Sequence, residues 1–291
     1  MQTVFSPYLR LMRIDKPVGF FLLLWPTLWA LWIASKGVIS FKLLGIFIMG
    51  VFIMRSAGCV VNDIADRDFD GYVTRTANRP LAAKEIPLKH AIALLMGLLV
   101  IALSLVLFLN LLCLKLACIG LLITLLYPYT KRWIAAPQCI LGVAFSLGIP
   151  MAFSAVSETL ITLHDLVRLP FSFWLLWGIG VLWPIIYDTL YAMVDRKDDI
   201  KIGINSTAIF LGKYDRLTIC SLEIIWFAAW IFLAQQLNLT YIFYVSVGLA
   251  MSLCLYECVA IRYREPSACF RAFLNHAWVG GILFIGLVVG C

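Results

Sequence analysis

Nine runs of about twenty apolar residues divide this chain, near 18–35, 43–61, 88–109, 111–130, 137–155, 171–190, 214–234, 239–261 and 272–290. A run of that length wound into an α-helix satisfies its own backbone hydrogen bonds and can cross hydrocarbon. Only 13% of the 291 residues are charged and 63% are hydrophobic, whereas ordinary soluble domains carry about 25% charged residues. The expected fold is all-α: a polytopic integral membrane protein with nine transmembrane helices in one bundle. No linker or low-complexity segment separates a second unit, so residues 1–291 are expected to form a single membrane-embedded domain. Ten Trp and eleven Tyr suit the many membrane–water boundaries of such a chain.

Charge fixes the expected orientation. With the N-terminus inside, all of the 23 basic residues except Lys36, Lys42, Lys115 and Arg168 fall on the inner side. That asymmetry is what the positive-inside rule demands, and it favours nine spans over eight or ten. It also accounts for the net charge of +7 without a nucleic-acid partner, because the basic residues are scattered through short loops. Arg10, Arg13 and Lys16 precede a first run that is long, contains Pro26 and lacks a small-residue cleavage site, so that run reads as a retained span. A bacterial inner membrane, with the N-terminus cytoplasmic, is the simplest address. Nine Cys, an odd number with no C-x-x-C pair, argue against a disulfide framework or a zinc site.

Two acidic stripes interrupt this apolar pattern. Asp63, Asp66 and Asp70 follow the second span; Asp188, Tyr191, Asp195 and Asp199 follow the sixth. Spacings of three and four place each set on one face of an α-helix. Carboxylates stacked in this way repel one another unless a cation lies among them. An even number of spans separates the stripes, so both emerge on the same, cytoplasmic, side. The loops after spans two and six are expected to be long, at roughly 25 residues each, as functional loops often are. Mg²⁺ prefers oxygen ligands and binds through a few carboxylates plus substrate phosphates. Arg67, Arg75, Arg79, Lys131, Arg132, Arg196, Lys197, Lys201 and Lys213 surround the stripes and could neutralise the remaining phosphate charge. An apolar bundle beneath them would take a hydrocarbon tail. The implied ligand is a polyprenyl diphosphate with Mg²⁺, and the metal candidates are Asp63, Asp66, Asp70, Asp188, Asp195 and Asp199.

The residues Asn62, Asp63, Asp66, Asp70, Arg75, Thr76, Arg79, Pro80, Leu81 and Ala82 resemble the N-D-x-x-D-x-x-x-D motif and downstream R-T-x-x-R-P-L-A of the UbiA prenyltransferase superfamily. Asp188, Tyr191, Asp195 and Asp199 match its second motif, D-x-x-Y-x-x-x-D-x-x-x-D. The segments around Asp15–Pro17, Trp25–Thr27, Tyr187–Arg196 and Lys201–Gly203 are similar to the 4-hydroxybenzoate polyprenyltransferase branch, so the resemblance covers essentially the whole chain. It implies Mg²⁺-dependent transfer of a polyprenyl group to the ring carbon beside the hydroxyl of 4-hydroxybenzoate, in ubiquinone biosynthesis. It further implies catalytic roles for Asp66, Asp70, Asp195, Asp199, Arg55 and Tyr191. Substrate binding would fall to Asn62, Arg75, Arg79, Tyr127, Lys131 and Lys201, with Arg55 holding the benzoate carboxylate. The lesser alternative for Arg55 is a structural salt bridge, and Lys131 and Arg132 could equally be topology anchors. Asn205 stands where a Lys is expected in relatives, so one basic contact is either missing or supplied by Lys201.

Two other readings compete. A different acceptor (a naphthoate, haem or a chlorophyllide) would use the same donor site. A divalent-cation or anion transporter would place its site near the midplane on broken helices, whereas these stripes sit at one membrane face. His90, His164 and His276 share no spacing and suggest no histidine-based catalyst. Asp68 and Asp198 fall between stripe positions and are expected to face solvent or pair locally.

Overall fold

Residues 6–73, 75–157 and 159–291 are described by a computed structural model, and among them every regular element is helical. A short helix α1 (Ser6–Leu11) leads into α2 (Val18–Ala34), α3 (Phe41–Asp66), α4 (Leu88–Val106) and α5 (Leu111–Thr130). The fifth span is broken: α6 (Gln138–Ser146) and α7 (Gly148–Val156) meet at Leu147, just before Pro150. After a short α8 (Leu163–Val167) come α9 (Phe171–Ile202), a short α10 (Thr207–Leu211), α11 (Asp215–Gln236), α12 (Tyr241–Ala260) and α13 (Pro266–Gly290). Among the described residues, eight segments are long and apolar enough to cross a membrane, α6 and α7 counting together, and the 17-residue α2 is a shorter apolar helix. They coincide with the nine apolar runs, and the protein is an integral multi-pass membrane protein.

The faces explain the packing. Ile92, Met96, Val100 and Leu103 on α4 and Val245, Leu249 and Leu255 on α12 remain exposed on the outside of the bundle, where lipid rather than water would meet them. Inside, helices approach through small residues, since hydrocarbon-exposed helices gain little hydrophobic energy by associating. A Cβ on Gly142 of α6 would lie 2.4 Å from the Val181 carbonyl oxygen of α9, so only glycine permits that contact.

Four tryptophans occupy the core rather than the membrane boundary. Trp29, Trp183, Trp226 and Trp230 are buried. Trp183 stacks on Trp226 at 4.9 Å, and Trp29 meets Trp230 edge-on at 5.0 Å. Such pairs contribute about 0.5–1.5 kcal/mol each beyond their burial. Three of the four indole N–H groups donate to main-chain carbonyls: Trp29 to Gly280, Trp183 to Leu22 and Trp226 to Ile179. These bonds stitch α2, α9, α11 and α13 together, which is why the rings can be buried. Cys220 of α11 and Cys258 of α12 form a disulfide. Among the described residues this is the single bridge, short of the framework that the odd cysteine count argued against.

The acidic stripes differ from the expected pair of loop helices. Helix α3 ends at Asp66, and Asp70 lies on a separate 3₁₀ turn, Asp70–Tyr72. Asp63 and Asp66 therefore share a helical face, while Asp70 is brought back by the chain reversal. The second stripe is the final part of α9 itself. That helix has 32 residues, about 48 Å at 1.5 Å per residue, and exceeds the ~30 Å of hydrocarbon. It stops at Gly203, whose φ of 72° is the left-handed conformation that caps a helix. The connection to α11 is consequently shorter than the loop expected there.

Candidate active site

The last turns of α3 and α9, the start of α6 and the 67–87 connection enclose a cavity of about 830 Å³ at one end of the bundle. Asp63, Asp66, Asp70, Asp188, Asp195 and Asp199 all line it, with Asn62, Arg55, Arg75, Arg79, Tyr127, Lys131 and Tyr191. Of the residues given metal, catalytic or substrate-binding roles, Lys201 alone stays outside the lining, and of the surrounding cations Arg67, Arg132, Arg196, Lys197 and Lys213 do not line it either. The Lys201 Nζ donates to Asp198 at 3.0 Å and its side chain is 73% exposed. Asp68 likewise pairs with Arg67 at the surface.

Arginine forks hold the carboxylates in place. Arg75 donates through Nε to Asp195 Oδ1 at 2.8 Å and through Nη2 to Oδ2, while its guanidinium lies 4.4 Å from the Tyr191 ring centre. The loop that follows the first motif thereby closes onto the second. Arg79 donates to both Asp70 oxygens, at 2.9 and 2.8 Å, and lies 3.3 Å from Asp63. Arg13 donates to Asp63 at 2.8 Å. Lys131 reaches Asn62 at 3.3 Å and Asp66 at 3.5 Å, with its Nζ 5.4 Å from the Tyr127 ring centre. Arg132 instead donates to the Ala65 carbonyl at 3.0 Å beside the Phe69 and Tyr129 rings, securing the end of α3.

Electrostatics outside the spans follow from this crowding. Burial pushes the Asp70 carboxyl above its ordinary value, against the opposing charge and hydrogen bonds of Arg79. Burial works against the Arg79 cation, but Asp63 and Asp70 outweigh it and hold the guanidinium above its ordinary value. Burial opposes the Arg75 cation too, and the hydrogen bond to Asp195 overcomes it. Asp63 is 1% exposed, and its Oδ2 is buried without a hydrogen-bond partner. A buried carboxylate oxygen left unpaired beside five other cavity-lining aspartates fits the oxygen-only donor set of a hard divalent cation.

Deeper in the bundle the cavity turns apolar. Arg55, Gly58, Thr124, Ala144 and Phe145 line both the polar cavity and an adjoining groove of about 530 Å³. The groove runs between α3, α4 and α5, and the outward-facing Met96, Val100 and Leu103 form its outer wall. Arg55 sits at the junction. It makes no ion pair among the described residues; Nη1 donates to Cys59 Sγ at 2.9 Å and Nε has no partner. The hydroxyl of Tyr187, another cavity residue, is also buried without a partner. The salt-bridge reading of Arg55 is therefore not realised.

Gln138, like Arg13, belongs to the site without a role expected from the sequence. It is 4% exposed at the start of α6, donates to Asp188 Oδ2 at 3.2 Å, and accepts from the Thr207 main-chain N–H at 3.0 Å. Its signal was a lone polar side chain opening an apolar run. Asn205, at the expected lysine position, lines the cavity, and its N–H donates to the Lys131 carbonyl at 2.8 Å.

Residues 23–284 match the UbiA prenyltransferase family. The chain belongs to that family. Among curated UbiA-family relatives, the 4-hydroxybenzoate octaprenyltransferase of Coxiella burnetii (strain Dugway 5J108-111) is 50% identical over 282 residues, 97% of this chain and 95% of that protein. The 4-hydroxybenzoate octaprenyltransferase of Tolumonas auensis is 50% identical over 98% of this chain and 97% of its own length. A solved UbiA homolog from Aeropyrum pernix K1 superposes with a TM-score of 0.80 at 26% identity, covering 93% of this chain and 97% of that one. A UbiA homolog from Archaeoglobus fulgidus, bound to DMAPP and Mg²⁺, shares the fold at a TM-score of 0.69 and 16% identity, covering 96% of this chain and 99% of that one.

Proposed function

We propose that this protein transfers a polyprenyl group from an allylic polyprenyl diphosphate to the ring carbon ortho to the hydroxyl of 4-hydroxybenzoate, releasing diphosphate, in ubiquinone biosynthesis. The observation that carries the reading is the junction at Arg55. There a carboxylate-rich cavity, suited to a metal-bound diphosphate, opens into an apolar groove suited to its tail. The curated 4-hydroxybenzoate octaprenyltransferases at 50% identity over nearly the whole chain support the acceptor.

Asp63, Asp66, Asp70, Asp188, Asp195 and Asp199 would hold the metal, which we infer to be Mg²⁺. Bound there, Mg²⁺ supplies Lewis-acid neutralisation of the leaving diphosphate. Arg75, Arg79 and Lys131, now paired with aspartates, would turn part of their charge to the diphosphate oxygens. Asn62 and Tyr127 sit within reach of Lys131 and would position it. The tail would follow the apolar groove, leaving the allylic carbon at its mouth. Arg55, with Nε unpaired, would take the benzoate carboxylate, with the Tyr187 hydroxyl close by. That grip would orient the ring so that its ortho carbon faces the allylic carbon. Phe145, Ala144 and Gly58 would exclude water there, so that the phenol ring captures the developing allylic cation and its ortho carbon then gives up its proton to a base, restoring the aromatic ring as diphosphate leaves. Tyr191, beneath the Arg75 guanidinium, would keep the loop closed over the reacting atoms.

The same reading gives the setting: one membrane-embedded domain over 1–291 in a bacterial inner membrane, with the N-terminus and the carboxylate cavity cytoplasmic. Incubating the purified protein with geranyl diphosphate, 4-hydroxybenzoate and Mg²⁺ tests it. A 3-prenylated 4-hydroxybenzoate in the mass spectrum is the expected product. Product with a naphthoate but none with 4-hydroxybenzoate would move the chain to another acceptor.

A further inference from the structure

Three helices assemble a second polar cluster inside the bundle. Glu223 of α11, Cys254 and Glu257 of α12 and His276 of α13 are all buried, and one ligand atom from each lies within 4.8 Å of the others. The cluster lies behind the cavity wall: the His276 ring packs against Trp183 at 5.3 Å and Tyr187 at 6.3 Å, and Tyr187 lines the cavity. None of these four residues lines that cavity.

The cluster is short of hydrogen bonds. Glu257 is 1% exposed, and its carboxyl oxygens have no well-aligned hydrogen-bond partner; among the described residues the Asn275 side chain makes the one weak polar contact to them besides His276. His276 Nδ1 lies 3.3 Å from Glu257 Oε2, but it is hydrogen-bonded to the Ala272 carbonyl at 3.0 Å. A carbonyl can only accept, so the ring proton sits on Nδ1 and the Nε2 lone pair is left free. That lone pair faces Glu223 Oε1 at 3.8 Å. Cys258 Sγ lies 3.2 Å from Glu223 Oε2, but as half of a disulfide it has no proton to give. No Lys or Arg pairs with either glutamate among the described residues.

Two carboxyls in one pocket within a membrane span, with only the His276 ring and the Asn275 side chain as protonatable or amide partners among the described residues, are costly. Charged, they repel and lack solvation; neutral, their O–H groups have little beyond the His276 Nε2 lone pair to accept from them. A divalent cation offsets most of both costs: with Cys254 bound as its thiolate, the two carboxylates and the sulfur leave the site one net negative charge. The Nε2 of His276 and the sulfur of Cys254 would complete four donors from three helices. Mixed nitrogen, sulfur and oxygen ligands suit Zn²⁺ and its neighbours, whereas Mg²⁺ demands oxygen. We propose that Glu223, Cys254, Glu257 and His276 form a transition-metal site, of the zinc class, that clamps α11, α12 and α13 behind the catalytic cavity. It is separate from the diphosphate-binding metal, and the Nδ1–H bond to Ala272 is the orienting contact such a histidine ligand requires.

The test reads metal, not turnover, so it stands apart from the transfer reaction. The full chain, carrying a tag free of histidine, is purified in detergent from cells grown with zinc or cobalt, washed with chelator and analysed by plasma mass spectrometry. Wild type is expected to retain about one equivalent per chain. Glu257→Gln and His276→Asn should each retain roughly tenfold less, and Asp66→Ala, in the cavity, should match wild type. Should those variants not fold, the smaller Cys254→Ser decides: the thiolate-to-cobalt absorption band of the cobalt-loaded protein should vanish in it. A wild type without stoichiometric metal, variants with wild-type metal content, or a band that survives Cys254→Ser would each overturn the proposal.

Discussion

Gln138 holds the second carboxylate motif from behind, and Gln138→Leu isolates that contribution. The substitution keeps the approximate volume but removes the donor to Asp188 Oδ2 at 3.2 Å and the acceptor for the Thr207 N–H at 3.0 Å. A hydrogen bond to a charged partner contributes about 1.5–3 kcal/mol, and a buried N–H left unsatisfied costs about 1–3 kcal/mol. The first loss falls on the placement of Asp188, the second on the α9–α10 connection. At 1.4 kcal/mol per tenfold change, misplacing Asp188 should lower kcat/KM roughly 10- to 100-fold. The Thr207 loss should appear separately, as a lower melting temperature in detergent. Gln138→Glu divides the two effects. It keeps an acceptor for Thr207 but sets a carboxyl against Asp188, so activity should fall while most of the stability remains. The assay is initial rate against donor and against Mg²⁺, alongside thermal unfolding. Wild-type kcat/KM in a folded Gln138→Leu protein would refute the reasoning.

Other perturbations separate the halves of the site and test the packing. Arg55→Ala should raise the KM for 4-hydroxybenzoate roughly 10- to 100-fold, the size of a lost charge-assisted contact, while the KM for the diphosphate stays near wild type. An effect confined to the diphosphate would move Arg55 to the other half of the site. Gly142→Ala forces a Cβ to within 2.4 Å of the Val181 carbonyl, so α6 must shift from α9 at a cost of about 1–3 kcal/mol; an unchanged melting temperature would show that the contact is not tight.

The spans were legible because a bilayer allows so few backbone solutions that twenty apolar residues nearly dictate a helix. The motif aspartates were legible for a related reason. Carboxylates beside apolar spans are too costly to be incidental, and the cavity gathers all six. What stayed hidden depends on partners distant in sequence. Nothing local marks where α3 stops, so Asp70 appeared to continue a helical stripe that in fact ends at Asp66. Lys201 shares its neighbourhood with Asp195 and Asp199, yet its position on α9 directs it to Asp198. Three of the four buried tryptophans are held by the distant carbonyls of Leu22, Ile179 and Gly280, which no local pattern reveals. Gln138 acquires meaning only when α6 meets α9 and α10. Glu223, Glu257 and His276 are separated by up to 53 positions in the chain, and no spacing rule connects them.

The central claim is that the two motifs act as one metal–diphosphate site. Its most direct test is Mg²⁺-dependent binding of a non-hydrolysable geranyl thiolodiphosphate to the wild type, Asp66→Ala and Asp195→Ala, measured by calorimetry in detergent. Wild type should bind with Mg²⁺ and only weakly without it, and each single variant, though folded, should lose the Mg²⁺-dependent part and turnover with it. If either variant kept wild-type Mg²⁺-dependent binding, the motifs would not share a site.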